Sequence, residues 1–367
     1  LGNPLELIYG PDDYLWITER TGKQVVRVNP SDGSVHLALK LPDVFQRASQ
    51  DGVLGMALHP ELLQETGNDF VYLAYTYQGE GGNNRQPNRL VKIVRYTYDP
   101  ASETLGEPME LISALPGSGD HNSGRMLIGP DGKLYYSIGD QGNNQFANAC
   151  LPVLSQVIPT AEEVSAQDWH NYPGKVLRMN LDGSIPEDNP TIEGVQSHIF
   201  TYGHRNVQGL VMSDDGLLYG SEHGPKTDDE INLLEAGKNY GWPHVVGFQD
   251  DQAYVYANWS EAPNCATLGY SDFVIPASVP TEEESAWSHP DFMPPLQTFG
   301  TVETGYDFQI AECAPQEWIC WPTIAPTGLT LYREQEGGVP GWGNSLLVTA
   351  LKRGSVYRLA LSDDGRS

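Results

Sequence analysis

The chain has 367 residues, 39% of them hydrophobic, and its 48 acidic against 21 basic side chains give a formal charge of −27. Such a surface repels phosphate backbones and anionic membranes, which argues against nucleic acid as a partner. No apolar run reaches the roughly 18 residues that a membrane-spanning helix needs. The 39 glycines and 27 prolines disfavour helix interiors, so the composition predicts many turns joining short strands. The length suits one large all-β domain over residues 1–367.

In chain order, a turn-then-strand unit recurs. It first appears as Gly10-Pro11-Asp12-Asp13 before the strand Tyr14-Leu15-Trp16-Ile17, and Gln24-Val25-Val26-Arg27-Val28 follows as a second strand. A short helix is expected near Glu61-Leu62-Leu63, then a weaker copy of the unit at Asn68-Asp69-Phe70-Val71-Tyr72-Leu73. Asp120-His121-Asn122-Ser123-Gly124-Arg125 comes next, leading through Gly129-Pro130-Asp131-Gly132 into a hairpin that ends on Gly139-Asp140-Gln141-Gly142. A titratable histidine on a loop carried by strands is a common seat of acid–base chemistry, although a plain polar loop has the same composition.

A long insertion over residues 141–172 carries an expected short helix near Thr160-Ala161-Glu162-Glu163, and the strand Lys175-Val176-Leu177-Arg178-Met179 follows. Within Thr201-Tyr202-Gly203-His204-Arg205-Asn206-Val207-Gln208-Gly209, Arg205 suits a carboxylate or oxyanion and Asn206 a carbonyl. The third turn unit is Ser213-Asp214-Asp215-Gly216 before Leu217-Leu218-Tyr219. Ser221-Glu222-His223-Gly224-Pro225-Lys226-Thr227-Asp228-Asp229-Glu230 offers the carboxylate and carbonyl oxygens that Ca²⁺ selects, without the EF-hand spacing. Tyr240, Asp250 and Glu284 in the following loops, across a second insertion at residues 249–300, extend that oxygen set.

Trp318-Ile319-Cys320-Trp321-Pro322-Thr323 brings two indoles together, for a sugar ring, a planar cofactor or ordinary core packing. Another strand is expected in Gly343-Asn344-Ser345-Leu346-Leu347-Val348. The basic pair in Leu351-Lys352-Arg353-Gly354 suits an anionic ligand and precedes the strand Ser355-Val356-Tyr357-Arg358-Leu359. Units that cannot cover their own apolar faces must stack, so the repetition predicts a β-propeller rather than a pair of sandwiches. The long insertions are where function is expected.

Cys313 and Cys320, seven apart, suit a small disulfide loop, with metal binding as the alternative; Cys150 and Cys265 either pair or stay free. An oxidising compartment is the expectation. The start at Leu1-Gly2-Asn3-Pro4 reads as a mature or trimmed product. Dinucleotide, P-loop, serine-elbow and H-E-x-x-H motifs do not occur.

Taken together, these strings closely resemble the soluble quinoprotein glucose dehydrogenases, which use pyrroloquinoline quinone (PQQ). The likeness spans residues 10–361. It rests on Asp120-His121 with Ser123-Gly124-Arg125, Gly139-Asp140-Gln141-Gly142, Asn180-Leu181-Asp182-Gly183-Ser184-Ile185-Pro186 and Gly203-His204-Arg205-Asn206. It rests equally on Asp228-Asp229-Glu230-Ile231-Asn232-Leu233, Asn239-Tyr240-Gly241-Trp242-Pro243, Ile319-Cys320-Trp321-Pro322-Thr323 and Leu351-Lys352-Arg353-Gly354.

The resemblance implies an all-β, six-bladed β-propeller of four-stranded antiparallel blades, the terminal blade incomplete in this chain, in a periplasmic or secreted protein. It implies PQQ- and Ca²⁺-dependent oxidation of a glucose-like aldose at C1 to the lactone. By the same resemblance His121 is the base that takes the anomeric proton while a hydride passes to C5 of PQQ. Arg205 stabilises the reduced quinone. Gln50 and Asp120 bind substrate, Asp120 also able to tune or orient His121. Asn206, Thr323 and Lys352 hold PQQ. The Gly224 and Pro225 carbonyls hold one Ca²⁺, and Glu230, Tyr240, Val246, Asp250 and Glu284 a second, structural one. Cys313 and Cys320 match the family's short disulfide, and the implied partners are a sugar, an external electron acceptor and a second copy in a homodimer.

Some positions depart from the pattern. Phe146 stands where a smaller aliphatic residue lines the sugar site, and Trp318, near Trp321 of the same site, replaces a tyrosine. The family's N-R-Y-R string, whose arginines grip PQQ carboxylates, does not occur in this sequence, so either the chain is truncated or its hold on PQQ is weaker. Competing readings are a catalytically silent propeller that binds a sugar or protein partner, and a calcium-dependent lactonase. A silent module has no need of His121, Arg205 and Lys352 together.

Overall fold

The computed structural model describes residues 1–82, 88–333 and 338–367, the Arg353 side chain excepted. They fall into two compact units. The first is Leu1–Gln141, Ile158–Pro173 and Leu177–His198; the second is Gly142–Val157, Gly174–Val176 and Ile199–Ser367.

In the first unit, β1 (Pro4–Tyr9), β2 (Leu15–Glu19), β3 (Gln24–Val28) and β4 (Val35–Lys40) form one antiparallel sheet in chain order. β5 (Val53–Leu58), β6 (Phe70–Gln78), β7 (Arg89–Asp99) and β8 (Thr104–Pro116) form another. β9 (Ser123–Ile128) and β10 (Leu134–Ile138) make a hairpin, in a sheet whose order continues through β11 (Lys175–Met179). The short pair β12 (Thr191–Ile192) and β13 (Val195–Gln196) follows, and the chain then enters the 199–367 stretch of the second unit with β14 (Ile199–Tyr202). One core cluster includes Trp16, Val25, Val53, Met56, Leu73, Tyr75 and Tyr96.

The second unit contains β15 (Val207–Met212), β16 (Leu218–Glu222) and β17 (Asp229–Leu234), then the isolated pair β18 (Tyr256–Ala257) and β19 (Thr281–Glu282). β20 (Gln297–Phe299) adds a fourth strand beside β17, and β21 (Pro326–Tyr332), β22 (Ser345–Ala350) and β23 (Ser355–Ala360) form the last sheet. Tyr219, Ile231, Leu233, Leu346 and Val348 are central to its core. Inner strands such as β10, β16 and β17 are buried along their whole length, which requires cover on both faces, whereas the edge strand β23 alternates.

The repeated turn is one physical device used three times. The amide of Gly10, Gly129 or Ser213 donates to the carbonyl four residues on, at 2.8, 2.9 and 2.9 Å. The residue before that carbonyl is left-handed each time: Asp13 at φ 60°, Gly132 at 68° and Gly216 at 89°. Glycine and aspartate tolerate that region best, which is why the pattern was readable.

Two expectations change. The described residues hold five sheets of blade type, four with four strands and the last with three, rather than six blades. The second insertion supplies only β18, β19, β20 and isolated 3-10 turns, so it builds no further blade. Near Glu61 the chain makes turns, not a helix, because the Asp69 carboxylate takes the Leu63 N–H at 2.6 Å and Leu63 itself sits at φ 62°. The other expected helix forms as α1 (Ala161–Ser165), started by a capping box between Thr160 and Glu163.

Both cysteine pairs, Cys150–Cys265 and Cys313–Cys320, are disulfide-bonded. The first ties the opening of the long insertion to a cluster of Ala149, Trp259, Ala262 and Val279. No helix among the described residues is long and apolar enough to cross a membrane.

Candidate active site

His121 lies on the loop between β8 and β9, where His121, Ser123 and Gly124 all adopt positive φ, at 45°, 53° and 92°. Two non-glycine excursions of this kind, separated by one residue, occur where surrounding contacts fix the backbone. The residue is 6% exposed, and its ring Nδ1 lies 2.7 Å from Oδ1 of Asp140, itself 1% exposed. A carboxylate accepts and does not donate, so Asp140 keeps the proton on Nδ1 and leaves the lone pair on Nε2. The result is an oriented base.

Asp120 lies beside the base. Its Oδ1 accepts from Gln50 Nε2 at 2.6 Å and from the His121 amide at 3.0 Å, and lies 3.8 Å from His121 Nε2. Asp120 therefore flanks the basic nitrogen with Gln50, and Asp140 does the orienting. Asn122 closes the loop by donating to the carbonyls of Gln50 and Ser118 at 2.8 and 2.6 Å. Residue type alone gives Asp140 no role in the Gly139-Asp140-Gln141-Gly142 string. The hairpin register held the signal: Ser123 pairs with Ile138, so two steps outward residue 121 faces residue 140.

In the second unit, Arg205 and Asn206 follow β14. Their amides both donate to Glu222 Oε1, that of Asn206 at 3.2 Å, while Glu222 Oε2 meets His204 Nδ1 at 2.9 Å. His204 stacks on Tyr240 with centroids 4.7 Å apart. The Arg205 guanidinium donates to the His223 carbonyl at 3.1 Å and to Gln145 Oε1 at 3.4 Å, and lies 5.4 Å from the Trp242 ring centre. Its buried Nε finds no acceptor among the described residues. Lys352 Nζ donates to Thr323 Oγ1 at 2.6 Å and to the Trp321 carbonyl at 3.3 Å.

The residues expected to bind calcium are partly assembled. Glu284 accepts from the amides of Val246, Asp250 and Asp251 at 2.9, 3.3 and 3.1 Å. Glu230 accepts from the Gly247 amide at 2.6 Å and Asn232 Nδ2 at 2.8 Å. Burial pushes Glu284 up to about 7. It pushes Glu230 up to about 8, with the Glu222 charge adding to the effect. Tyr240 instead donates its hydroxyl to the Leu233 carbonyl at 2.5 Å. The Gly224 amide donates to Asp229 Oδ1 at 3.0 Å, in the turn that continues into Pro225. Among the described residues no group of three or more His, Cys, Asp or Glu is placed to hold a metal.

Of the three aromatic residues singled out, Phe146 is 59% exposed, with its ring 5.1 Å from Tyr270, and Trp318 is 54% exposed. Trp321 is buried, donates its indole N–H to the Phe308 carbonyl at 3.2 Å and meets Phe273 and Phe308 edge-on. Core packing accounts for it, and the two exposed rings remain as open faces.

Blade-type sheets carrying a loop-borne His–Asp pair define a propeller enzyme, and residues 1–272 match the glucose/sorbosone dehydrogenase family model. The chain belongs to that family of oxidoreductases. It is 45% identical over 365 residues to quinoprotein glucose dehydrogenase B of Acinetobacter calcoaceticus, which covers 98% of this chain and 76% of that protein. It is 29% identical over 374 residues to an aldose sugar dehydrogenase of Escherichia coli, covering 99% and 79%. In fold it is similar to the PQQ-bound aldose sugar dehydrogenase of Streptomyces coelicolor, with TM-score 0.64 and 24% identity, covering 100% of this chain and 80% of that one.

Proposed function

We propose that the protein oxidises a glucose-like aldose at C1 to the lactone, using PQQ and Ca²⁺. The observation that carries the reading is the buried Asp140–His121 pair, a base with its lone pair fixed on Nε2. In this reading His121 removes the anomeric hydroxyl proton, while Gln50 and Asp120 bind the sugar hydroxyls. General-base assistance of this kind is worth roughly 10²–10⁴-fold in rate. When bound, PQQ supplies the two-electron acceptor, taking the C1 hydrogen as hydride at C5.

The second unit offers what a tricarboxylated quinone needs. Arg205 and Lys352 are cations in a chain of net charge −27, and the buried Arg205 Nε has a hydrogen to give. Arg205 would stabilise the reduced, anionic cofactor, and Asn206, Thr323 and Lys352 would hold its polar edge. The Gly224 and Pro225 carbonyls suit the cofactor's Ca²⁺. Glu230, Val246, Asp250 and Glu284, with Tyr240, suit a structural one. Phe146 and Trp318 would shape the choice of sugar. Two disulfides support a periplasmic or secreted protein. The reading also takes residues 1–367 as one propeller domain, reoxidised by an external acceptor and able to form a homodimer.

The test adds PQQ and Ca²⁺ to the purified apoprotein with glucose and a redox dye. Dye reduction matched by lactone formation, and abolished by a chelator, is the expected result. A folded preparation that neither reduces dye nor alters the PQQ spectrum refutes the reading.

A further inference from the structure

Asp229 begins β17 and is 1% exposed. Its two oxygens serve three backbone amides from two segments, the preceding turn and a segment far along the chain: Gly224 on Oδ1 at 3.0 Å, and Ile324 and Ala325 on Oδ2 at 2.6 and 2.7 Å. Both segments need such a tie. A Cβ on Gly224 would collide with the Thr227 carbonyl, so that turn is closed to its limit. Ala325 sits at φ 52°, a conformation alanine avoids unless its surroundings impose it.

The tie reaches a third segment. The Lys352 amide donates to the Ile324 carbonyl at 3.1 Å and the Leu351 amide to the Ala325 carbonyl at 3.0 Å. The Lys352 ammonium then reaches Thr323 Oγ1 at 2.6 Å. A parallel link joins the His223 ring to the Pro326 carbonyl at 2.7 Å.

We infer that Asp229 is a positioning residue: its carboxylate locks the Gly224 turn to the 323–325 turn, and so presets Thr323 and Lys352 for the anionic edge of the cofactor. The inference rests on the proposed cofactor reading for its purpose, and on the three amide bonds for its existence. An ionised acceptor is the group that serves several amides at once, because a carboxylate offers about four lone-pair sites and no competing donor.

Asp229→Asn tests it, since the amide retains one acceptor oxygen and turns an NH₂ group toward amides on the other side. Hydrogen–deuterium exchange of the apoprotein is expected to accelerate by about tenfold or more in the peptide holding Gly224, in the peptide holding Ile324 and Ala325, or in both. Exchange elsewhere is expected to stay unchanged. In a PQQ titration with Ca²⁺, Kd is expected to rise by about tenfold, with the fraction of binding-competent molecules and the KM for sugar unaltered. A merely structural role would lower that fraction and leave Kd alone. Unchanged exchange in both peptides together with unchanged Kd overturns the inference. Should the variant fail to fold, the wild-type protein decides: Gly224, Ile324 and Ala325 amides that exchange within seconds refute the lock. Wild-type protein that protects these amides yet binds no PQQ refutes the cofactor reading and, with it, the positioning role.

Discussion

Replacing Asp140 by Asn probes the base directly, because the change is nearly isosteric and removes only the charge and one acceptor. Nδ1 of His121 and Oδ1 of Asp140 are 2.7 Å apart, with the two side chains 8% and 1% exposed, so water is a poor substitute partner. A charge-assisted bond of this kind is worth about 1.5–3 kcal/mol, and that is lost when the imidazolium formed on proton transfer faces a neutral amide. At about 1.4 kcal/mol per tenfold, the loss alone lowers the rate by roughly 10- to 150-fold. If the amide NH₂ turns toward Nδ1, the ring proton moves to Nε2 and general-base assistance goes too, up to roughly 10⁴-fold. The expected fall in kcat is therefore between about 10-fold and about 10⁴-fold, read as initial dye reduction at saturating glucose and matched PQQ occupancy. PQQ binding should be unchanged. A kcat within about threefold of wild type at unaltered occupancy would refute the assignment of Asp140 as the residue that orients the base.

Two further predictions concern stability. Burial holds the His198 ring below its ordinary value of 6.5 despite the Gly183 carbonyl beside it, so the unfolded chain takes up that proton first as pH falls. Its contribution is complete above about pH 6.5 and erodes below, at up to about 1.4 kcal/mol per pH unit. Urea midpoints at pH 7, 6 and 5 should fall less steeply in His198→Gln than in wild type, and parallel slopes would contradict this. The two disulfides should differ in worth. Chain-entropy reasoning gives about 5 kcal/mol for Cys150–Cys265, 115 apart in sequence, and about 2 kcal/mol for Cys313–Cys320, seven apart. Serine double variants compared by urea unfolding should keep that order, and equal losses would show that loop closure does not govern it.

Strands and turns were legible because their causes are local. The Asp13, Gly132 and Gly216 positions announce the same left-handed turn, and alternation or continuous apolarity marks the strands that follow. Blade number was not legible, since whether residues 249–300 add a sheet depends on which partners their backbone finds, and only short pairings form there. The Glu61 helix failed on one side chain, Asp69, that captured a backbone amide from six residues away.

The candidate site divides along the same line. His121 and Arg205 stand out as chemical types on short motifs, but the residues that hold them act across the fold. Asp140 reaches His121 over 19 residues, and Glu222 reaches the Arg205 amide over 17. The acid-rich string from Ser221 to Glu230 read as a source of calcium ligands. In the structure Glu222 spends its oxygens on two backbone amides and the His204 ring, and Asp229 on three backbone amides, uses that composition does not distinguish from metal binding. Trp321 likewise has the residue type of a sugar platform and the surroundings of a core residue.

The central claim is that His121, with its lone pair fixed on Nε2, is the base for aldose oxidation. Its most direct test is the turnover of wild type and His121→Ala on glucose, each reconstituted with Ca²⁺ to the same measured PQQ occupancy. Loss of at least about 10²-fold in kcat with PQQ affinity retained is the expected result. Equal turnover at equal occupancy would contradict it, as would loss of PQQ binding, which would make the histidine part of the cofactor's support.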